Sequence, residues 1–395
     1  MTHNTSFSNI ECFECGNLRS LLWCSLCETE TFIRNFHRWT SGNTMIDQVI
    51  QHTQRHASND VGYLEWIPFE NFDLIEYRAR GAFSIVYSGI WLEGPRRNWD
   101  EENEEWLRNG PTKCALKRIE NSNQMSREYL NNIMRNHQCL QGRFVVDCFG
   151  ITRDPTGCYM FVTSLCEENL YQYIDKVMGY LRWEDIVKIL YEIIKGLKRI
   201  HDNGLYHGNL HGGNLLIEDK PEGVSIRISD IGLHGPADKT ASVIYGVLPY
   251  VAPEVLKGNE YTQASDIYSF GIIMWTLSTC MRPFCRVPHD LCLAKNICNG
   301  LRPEIINSTP KVYSTLMERC WYQDPNKRPK VTELRDILSH WVTAIYDNSI
   351  SNLLNAANND RITSENIIFV NRTIHHNAVY NSRLVNFQSL HEDGD

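Results

Sequence analysis

The stretch that decides the fold is His207-Gly208-Asn209-Leu210-His211-Gly212-Gly213-Asn214, and Asp230-Ile231-Gly232 follows it after about sixteen residues. A helix should lead into this stretch, because apolar residues recur at helical spacing between residues 184 and 201. The apolar residues of this stripe are Ile186, Ile189, Leu190, Ile193, Ile194, Leu197 and Ile200. The pattern therefore predicts an apolar helix that delivers the chain into a short polar loop.

Composition limits the classes of function that are open to the chain. The 395 residues are 42% hydrophobic and 22% charged, which allows one large domain with accessory segments. A net charge of −8 argues against binding to nucleic acid or to anionic membranes. The longest apolar stretch, residues 270–277, is too short to span a bilayer, and the first ten residues lack the apolar core of a secretory signal. We therefore expect an intracellular, cytoplasmic protein.

Two Cys-x-x-Cys pairs lie near the start of the chain, and together they are Cys12, Cys15, Cys24 and Cys27. Each pair can offer two thiolates from one tight turn, and eight residues between the pairs allow tetrahedral zinc coordination. Metal binding would supply the folding energy of so short a segment. The alternative is four unrelated thiols in a flexible tail. The double spacing favours zinc.

A short amphipathic connector should follow the cysteines. Met45, Ile46, Val49 and Ile50 share one helical face, and Asn43 or Thr44 can cap the helix. Proline at position 68 then stops helical structure, so the large domain should begin at about residue 69.

The first part of the large domain should be rich in strands. Residues 77–87 carry Gly81 between two strand-like runs, and Cys114-Ala115-Leu116-Lys117 reads as an apolar strand that ends in lysine. Taken alone, residues 77–87 fit an ordinary strand turn better than a phosphate-binding loop. The acidic run 100–105 between the two motifs is most simply a solvated excursion.

In their order and spacing these motifs resemble those of a protein kinase, together with Ala252-Pro253-Glu254 and Asp266-Ile267-Tyr268-Ser269-Phe270-Gly271 downstream. The residues of these motifs are most similar to those of the tyrosine-kinase-like class, especially fungal families with a short N-terminal Cys-x-x-Cys pair. The resemblance implies an α+β, bilobal kinase fold with a small β-rich N-lobe and a larger helical C-lobe. The expected organisation is a zinc-binding segment at 1–40, a helical linker at 41–68, a kinase-like domain at 69–346 and a mostly disordered tail at 347–395.

The resemblance also implies ATP and Mg²⁺ as cofactors and assigns residues to them. Mg²⁺ is assigned to Asn214 and Asp230, and the catalytic positions are Lys117, Asn209, Asn214 and Asp230. The residues assigned to the nucleotide are Ala79, Gly81, Phe83, Val86, Ala115, Lys117, Thr163, Leu165, Cys166, Asn214 and Asp230.

Three residues depart from the family pattern. Asn209 stands where kinases carry the Asp that accepts the proton of the substrate hydroxyl, and a neutral amide has no useful basicity. Asn132 stands at the position of the Glu that holds the lysine, although Glu128 lies one turn earlier on the same helical face. His211 replaces the lysine of serine/threonine kinases, so the sequence does not show which hydroxyl is the acceptor.

The resemblance further predicts an activation segment at 234–250 with Thr240, Ser242 and Tyr245 as candidate phosphorylation sites. Gly208 replaces the arginine that grips a phosphate there in many kinases. Asp266 is expected to anchor the backbone of the loop at 207–214, and Arg328 to pair with Glu254.

Two functions therefore remain open. The departures favour a nucleotide-binding pseudokinase that presents a surface to a signalling partner, with phosphotransfer weakened or lost. The alternative is an active serine/threonine or tyrosine kinase with a non-standard loop that acts on a protein substrate, because phosphoryl transfer depends mostly on positioning and electrostatics. The tail stretch at 380–385 reads as an inert tail or as a docking segment, and the oligomeric state is left open.

Overall fold

The computed structural model describes residues 10–12, 14–19, 23–57, 62–100, 103, 105–139, 142, 144–177, 181–220, 223–231, 237, 244–347, 357–359 and 373–385. The chain divides into two units, which are described separately below. The N-terminal unit comprises residues 1–165 and 235–240, and the C-terminal unit comprises residues 166–234 and 241–395.

The N-terminal unit contains most of the strands. Its strands are β1 (Ile10–Glu11), β2 (Leu18–Arg19), β3 (Glu65–Trp66), β4 (Phe72–Arg80), β5 (Ser84–Trp91), β6 (Arg96–Asp100), β7 (Glu105–Arg108), β8 (Thr112–Ile119), β9 (Cys148–Arg153) and β10 (Tyr159–Ser164). Its helices are α1 (Ser25–Asn35), α2 (Thr44–Arg55) and α3 (Arg127–Asn136).

Six of these strands form one sheet in the order β3-β9-β10-β8-β5-β4. All neighbours are antiparallel except β3 and β9, which are parallel. One face of the sheet carries a buried apolar cluster. Its fully covered members are Ile67, Trp91, Cys114, Leu116, Met160 and Val162. β3 lies four residues before the predicted start of the domain at residue 69, so residues of the predicted linker belong to the sheet.

The residues around the predicted acidic excursion form a hairpin, β6–β7, although residues 101, 102 and 104 lie outside the described part. Arg96 and Arg108 each place a guanidinium nitrogen 2.8 Å from Oε2 of the buried Glu65. Trp106 stacks on Phe32 of α1 with ring centroids 4.9 Å apart. The excursion is therefore packed on one side, because a buried carboxylate needs the two arginines that the hairpin supplies.

The predicted connector helix is α2, which lies within residues 41–68. α2 begins after Asn43, whose side chain accepts a hydrogen bond from the Met45 amide at 3.0 Å. Ile46, Val49 and Ile50 on its apolar face are each at most 1% exposed, whereas Met45, which the pattern placed on the same face, is 39% exposed.

The C-terminal unit is mainly helical. Its helices are α4 (Leu170–Lys176), α5 (Trp183–Asp202), α6 (Pro253–Leu256), α7 (Gln263–Thr279), α8 (Leu291–Cys298), α9 (Lys311–Cys320) and α10 (Val331–Tyr346). Its strands are β11 (Glu168–Asn169), β12 (Leu215–Lys220), β13 (Gly223–Ile228), β14 (Tyr245–Gly246) and β15 (Arg383–Leu384). A β-rich first unit and a helical second unit confirm the predicted α+β class.

The loop at 207–214 lies in the chain between two helices with buried residues, α5 and α7. All seven residues of the predicted stripe on α5 are at most 2% exposed, which confirms that helix. α7 is buried at every residue from 265 to 279, as an apolar helix at the centre of a unit must be. In the part of the chain that the structure describes, no helix combines the length and hydropathy needed to cross a membrane.

The predicted disordered tail stays a prediction for most of its length, since much of 347–395 lies outside the described residues. Two stretches of it, 357–359 and 373–385, are placed on the C-terminal unit. Asn358 Oδ1 accepts a hydrogen bond from the Trp183 amide at 3.0 Å, which caps the start of α5.

Glu254 and Arg328 form the buried ion pair that the resemblance predicts. The guanidinium donates to both carboxylate oxygens, at 2.6 and 2.7 Å, and its side chain is fully covered. It also donates to the carbonyl groups of Ala264 and Tyr322 at 2.8 and 2.9 Å. The pair therefore ties α6, the start of α7 and the turn before α10 to one cation.

Glu254→Gln should destabilise the C-terminal unit by about 3 kcal/mol, because it leaves a buried guanidinium without its counter-charge. Urea unfolding followed by tryptophan fluorescence would measure the change. Glu333→Gln is the matched control, since its bond to Arg319 lies at the surface and exposed pairs contribute about 0–1 kcal/mol. Equal losses in the two variants would contradict the assignment.

Candidate functional site

A buried carboxylate on α7 holds the loop at 207–214. Asp266 is 1% exposed and accepts hydrogen bonds from the backbone amides of His207 at 2.8 Å and Gly208 at 2.9 Å. Its Oδ2 also accepts from His201 Nε2–H at 2.9 Å, at the end of α5. Hydrogen bonds to an ionised group are about twice as strong as neutral ones. Asp266 therefore anchors the loop backbone, as the sequence predicted.

The ring of His207 connects the loop to the end of β13. Burial lowers the pKa of His207, so the ring is neutral and has one donor and one acceptor nitrogen. Nε2–H donates to the Ser229 carbonyl at 2.8 Å, and Nδ1 accepts from the Asn209 amide at 3.1 Å. The Ser229 amide in turn donates to the Asn214 carbonyl at 2.9 Å. These bonds fix the residue before Asp230 against the loop.

Asp230 has a backbone φ of 67°, in the left-handed region. Few residues other than glycine adopt this region, and aspartate is among those that tolerate it best. Residues held in such conformations cluster at functional sites. The conformation turns the chain sharply directly after β13 and its following serine.

Asn209 is nine-tenths buried, and its side-chain amide contacts a hydroxyl. Nδ2 lies 2.9 Å and Oδ1 lies 3.1 Å from Oγ of Ser382, which is 173 residues away in sequence. The Asn209 carbonyl accepts from Asn214 Nδ2 at 3.0 Å. The two asparagines are thus linked within one rigid loop, and residue 209 faces a hydroxyl with an amide in place of a carboxylate.

His211 supplies a second contact to the same hydroxyl. Its Nδ1 accepts from the Gly213 amide at 3.0 Å, and burial lowers its pKa to about 3. The neutral ring therefore carries its proton on Nε2, which donates to Ser382 Oγ at 3.1 Å. His211 acts as an uncharged donor at the position where the resemblance expects a lysine.

Gly208 has a φ of 73°, which suits glycine and strains any residue with a Cβ. The backbone conformation at residue 208 would therefore strain an arginine at this position.

Of the predicted phosphorylation sites, Thr240 and Ser242 lie outside the described residues. Tyr245 lies in β14, and its carbonyl accepts from the Tyr261 hydroxyl at 2.7 Å.

Several residues predicted to contact the nucleotide share one face of the six-stranded sheet. In the register of the sheet Ala79 is opposite Val86, Val86 is opposite Lys117, and Ala115 is opposite Thr163. Opposite residues of antiparallel strands project to the same face, as do residues two apart, such as Ala115 and Lys117. The strand register therefore brings these five side chains together.

The remaining predicted nucleotide residues lie in the β4–β5 turn and at the boundary of the units. Gly81 and Phe83 are in the turn, where the Gly81 amide donates to the Ser84 carbonyl at 2.8 Å. Leu165 is the last residue of the main segment of the N-terminal unit, and Cys166 opens the C-terminal unit. Their contacts with a nucleotide stay predictions.

The helix expected to carry a glutamate is α3, which Ser126 caps by accepting from the Tyr129 amide at 3.1 Å. Asn132 is half-buried in its middle, and its carbonyl accepts from Asn136 Nδ2 at 2.7 Å. Glu128 is exposed in the first turn. The substitution of Glu128 for the missing acid stays a prediction.

The four N-terminal cysteines converge. The first pair lies at the β1–β2 hairpin and the second at the start of α1, and all four sulfurs lie within 4.8 Å of one another. Cys12 Sγ is 3.7 Å from Cys27 Sγ, and Cys15 Sγ is 3.5 Å from Cys24 Sγ. Tetrahedral zinc with Zn–S distances of about 2.3 Å needs sulfurs about 3.8 Å apart. The arrangement therefore fits a Cys₄ zinc site.

Sequence reasoning did not place Ser382 in the site. The stretch at 380–385 had been read as a docking segment or an inert tail, and no motif singled out the serine. The stretch mixes apolar or aromatic residues, Tyr380, Leu384 and Val385, with polar ones, and this pattern does not mark a binding segment. Nothing local connects them to the loop at 207–214.

Comparison with known proteins identifies the family. The sequence profile of the protein tyrosine and serine/threonine kinase family matches residues 73–338. A probable serine/threonine-protein kinase of Dictyostelium discoideum is 27% identical over 281 residues, which is 69% of this chain and 28% of the relative. Serine/threonine-protein kinase STY17 of Arabidopsis thaliana is 25% identical over 198 residues, which is 50% of this chain and 34% of that relative.

The chain spans about a third or less of the length of these relatives, so the similarity concerns one domain of each. That domain includes the anchored loop at 207–214, Asp230 and the buried pair of Glu254 with Arg328. The match extends over most of the chain, and the chain belongs to the protein tyrosine and serine/threonine kinase family.

Proposed function

We propose that this chain is a nucleotide-binding protein kinase domain of intracellular signalling whose phosphotransfer to protein hydroxyls is weakened or lost. Lys117 would hold the ATP phosphates, and Asn214 and Asp230 would hold Mg²⁺, which would neutralise negative charge on the phosphates. The family match supports ATP and Mg²⁺ as the cofactors. We assign the domain to the tyrosine-kinase-like class because the residues of its motifs are most similar to that class.

The observation that carries this proposal is the contact of Asn209 with a hydroxyl. The amide holds the oxygen at hydrogen-bond distance but cannot take up its proton. A positioned general base commonly contributes about 10²–10⁴-fold to a rate, or roughly 3–5 kcal/mol of barrier. The loss of the base therefore predicts a slow reaction rather than none, if positioning is retained.

The loop at 207–214 retains the hydrogen bonds that would position a substrate hydroxyl. Asp266, His207 and Asn214 hold the backbone of the loop by hydrogen bonds of 2.8–3.1 Å. Those bonds support the alternative function, an active kinase with an unusual loop. The relatives are named serine/threonine-protein kinases. The hydroxyl that contacts Asn209 is that of Ser382, which favours serine over tyrosine as the acceptor class.

We further propose that the cysteine cluster binds one zinc ion, which stabilises the hairpin β1–β2 against α1. Cys24 caps α1 without a side-chain hydrogen bond, so its sulfur remains directed to the cluster. Hydrogen bonds with Asn17 lower the pKa of Cys15 to about 6, whereas burial raises the pKa values of Cys24 and Cys27, so a bound cation would have to stabilise their thiolates. The site would be structural, because four protein ligands leave no open position.

Magnesium-dependent ATP binding is the first test. ATP with Mg²⁺ at about 100 times its dissociation constant should stabilise the protein by about 2.7 kcal/mol, which raises its melting temperature by several degrees. Asp230→Ala should abolish the magnesium dependence of the shift. Asp202→Ala, an exposed carboxylate at the end of α5, is the control and should keep it. A melting curve unchanged by ATP in the wild type would refute nucleotide binding.

Asn209→Asp should raise the rate of phosphate transfer by about 10²-fold or more, because the near-isosteric change supplies a base without repacking the loop. Transfer of radiolabelled phosphate at high protein concentration measures this rate. Asn203→Asp makes the same chemical change at the exposed end of α5 and should leave the rate unaltered. Asn132→Glu alone should chiefly improve nucleotide binding. If the double variant Asn209→Asp/Asn132→Glu binds nucleotide and still transfers nothing, the missing base is not the limiting defect.

Native mass spectrometry of the full chain should show one zinc ion that a strong chelator removes. Cys15→Ser/Cys27→Ser takes one sulfur from each pair and should lose the metal. Cys285→Ser/Cys292→Ser changes two thiols of the C-terminal unit and should retain it. The same zinc content in both double variants, or none in the wild type, would show that the cluster is not a metal site.

A further inference from the structure

A segment at 377–385 lies on the C-terminal unit and ends in a strand, β15. β15 pairs antiparallel with β14, and the Val385 amide extends the ladder by donating to the Ile244 carbonyl at 2.8 Å. Before the strand, the His289 amide donates to the Asn377 carbonyl at 3.0 Å. The segment is therefore held by backbone hydrogen bonds at both ends, which is how an added strand is recognised.

Tyr380 anchors the segment from its side chain. The ring is 8% exposed, and its hydroxyl donates to the Pro283 carbonyl at 2.8 Å. The ring of His289 lies edge-on at 4.9 Å between centroids, and that of Tyr171 at 5.9 Å. The Arg282 guanidinium lies over the Tyr380 ring at 5.5 Å. This pocket takes an aromatic side chain from the segment and covers it.

Individual residues of the segment differ sharply in burial. Tyr380 and Val385 are covered, with Val385 only 3% exposed, and Ser382 between them faces Asn209. Asn381 and Leu384 are exposed, and Leu384 is 49% accessible. Tyr380 and Val385 are therefore two buried anchor positions, with partly buried and exposed residues between them.

We propose that residues 377–385 occupy, in cis, the acceptor-peptide site of this domain, with Ser382 in the position of the acceptor hydroxyl. This inference rests on the proposed function, since residue 209 is the one that meets the substrate hydroxyl in the family. Two contacts mark the position, from the Asn209 amide and from His211 Nε2. The segment excludes peptides in trans while it is bound.

The same contacts define the class of peptide that the site takes. Such a peptide carries serine at the acceptor position, an aromatic residue two positions before it and an apolar residue three positions after it. The residue after the serine can be basic, because the Arg383 guanidinium donates to the His289 carbonyl.

Covalent attachment gives the segment an advantage over a free peptide. α10 ends at Tyr346 and the described segment begins at residue 373, so a tether of fewer than thirty residues connects them. This covalent connection makes binding of the segment intramolecular, which raises its effective concentration above that of a free peptide. A peptide in trans should therefore bind weakly until the segment is displaced.

Hydrogen–deuterium exchange on the full chain tests the occupancy without nucleotide. In the wild type, amides at 378–385 and 244–246 should exchange more slowly than in the free peptide. Tyr380→Ala/Val385→Asp should remove that protection, because it deletes both buried anchors. Asn381→Ala/Leu384→Ala changes the exposed side of the same segment and should preserve it. Exchange of the wild-type segment at free-peptide rates would overturn the proposal.

Peptide binding tests the identity of the site. A fluorescein-labelled peptide of residues 375–385 should bind the Tyr380→Ala/Val385→Asp chain at least tenfold more tightly than the wild type or the control, measured by fluorescence anisotropy. The same peptide with Ser382→Ala should bind about two- to tenfold more weakly, as expected for the loss of a hydrogen-bonded hydroxyl. Equal binding to all three proteins, or none to the released chain at millimolar peptide, would overturn the proposal. The assay contains no nucleotide, so a failure of ATP binding shows separately in the melting test.

Discussion

The carboxylate of Asp266 is the constraint on which the site of the C-terminal unit depends. α7 is buried from residue 265 to 279, so this carboxylate cannot reach water and must be met by donors from the protein. Those donors are the amides of His207 and Gly208 and the ring of His201. Removing the partners of a buried charge costs about 3–5 kcal/mol. The conformation of the loop is thus coupled to the burial of Asp266 on α7.

That coupling explains how the loop can keep its shape while its chemistry changes. The backbone of Asn209 is held by His207 and Asn214, and neither bond involves the atom that distinguishes asparagine from aspartate. His211 likewise keeps a donor directed at the hydroxyl although it carries no charge. The site therefore retains groups that orient an oxygen and has lost the group that would accept its proton. Recognition and catalysis are separable here because different atoms of the loop carry them.

The parts of the fold that follow from short-range pattern could be predicted from sequence. The periodicity of α5, the capping of α2 by Asn43 and the spacing of the four cysteines each depend on residues within a few turns of one another. The packing of the β6–β7 hairpin could not be foreseen, because its acidic tip suggested solvent and its two arginines reach back to Glu65. Ser382 was beyond reach for the same reason, since its partner Asn209 lies 173 residues away. Tertiary contacts of this range leave no local signal.

In the proposed arrangement, contacts outside the loop at 207–214 control access to residue 209. Gly208 offers no guanidinium to a phosphate, and its left-handed backbone would strain the arginine that kinases use there. The segment at 377–385 is held by contacts that do not include Gly208: the Tyr380 pocket, the ladder to β14 and the covered Val385. A ligand or modification that weakens these anchors opens the site without altering the loop. In the proposed arrangement the C-terminal segment therefore supplies the regulation that the loop has lost, and it does so by competing for the hydroxyl position itself.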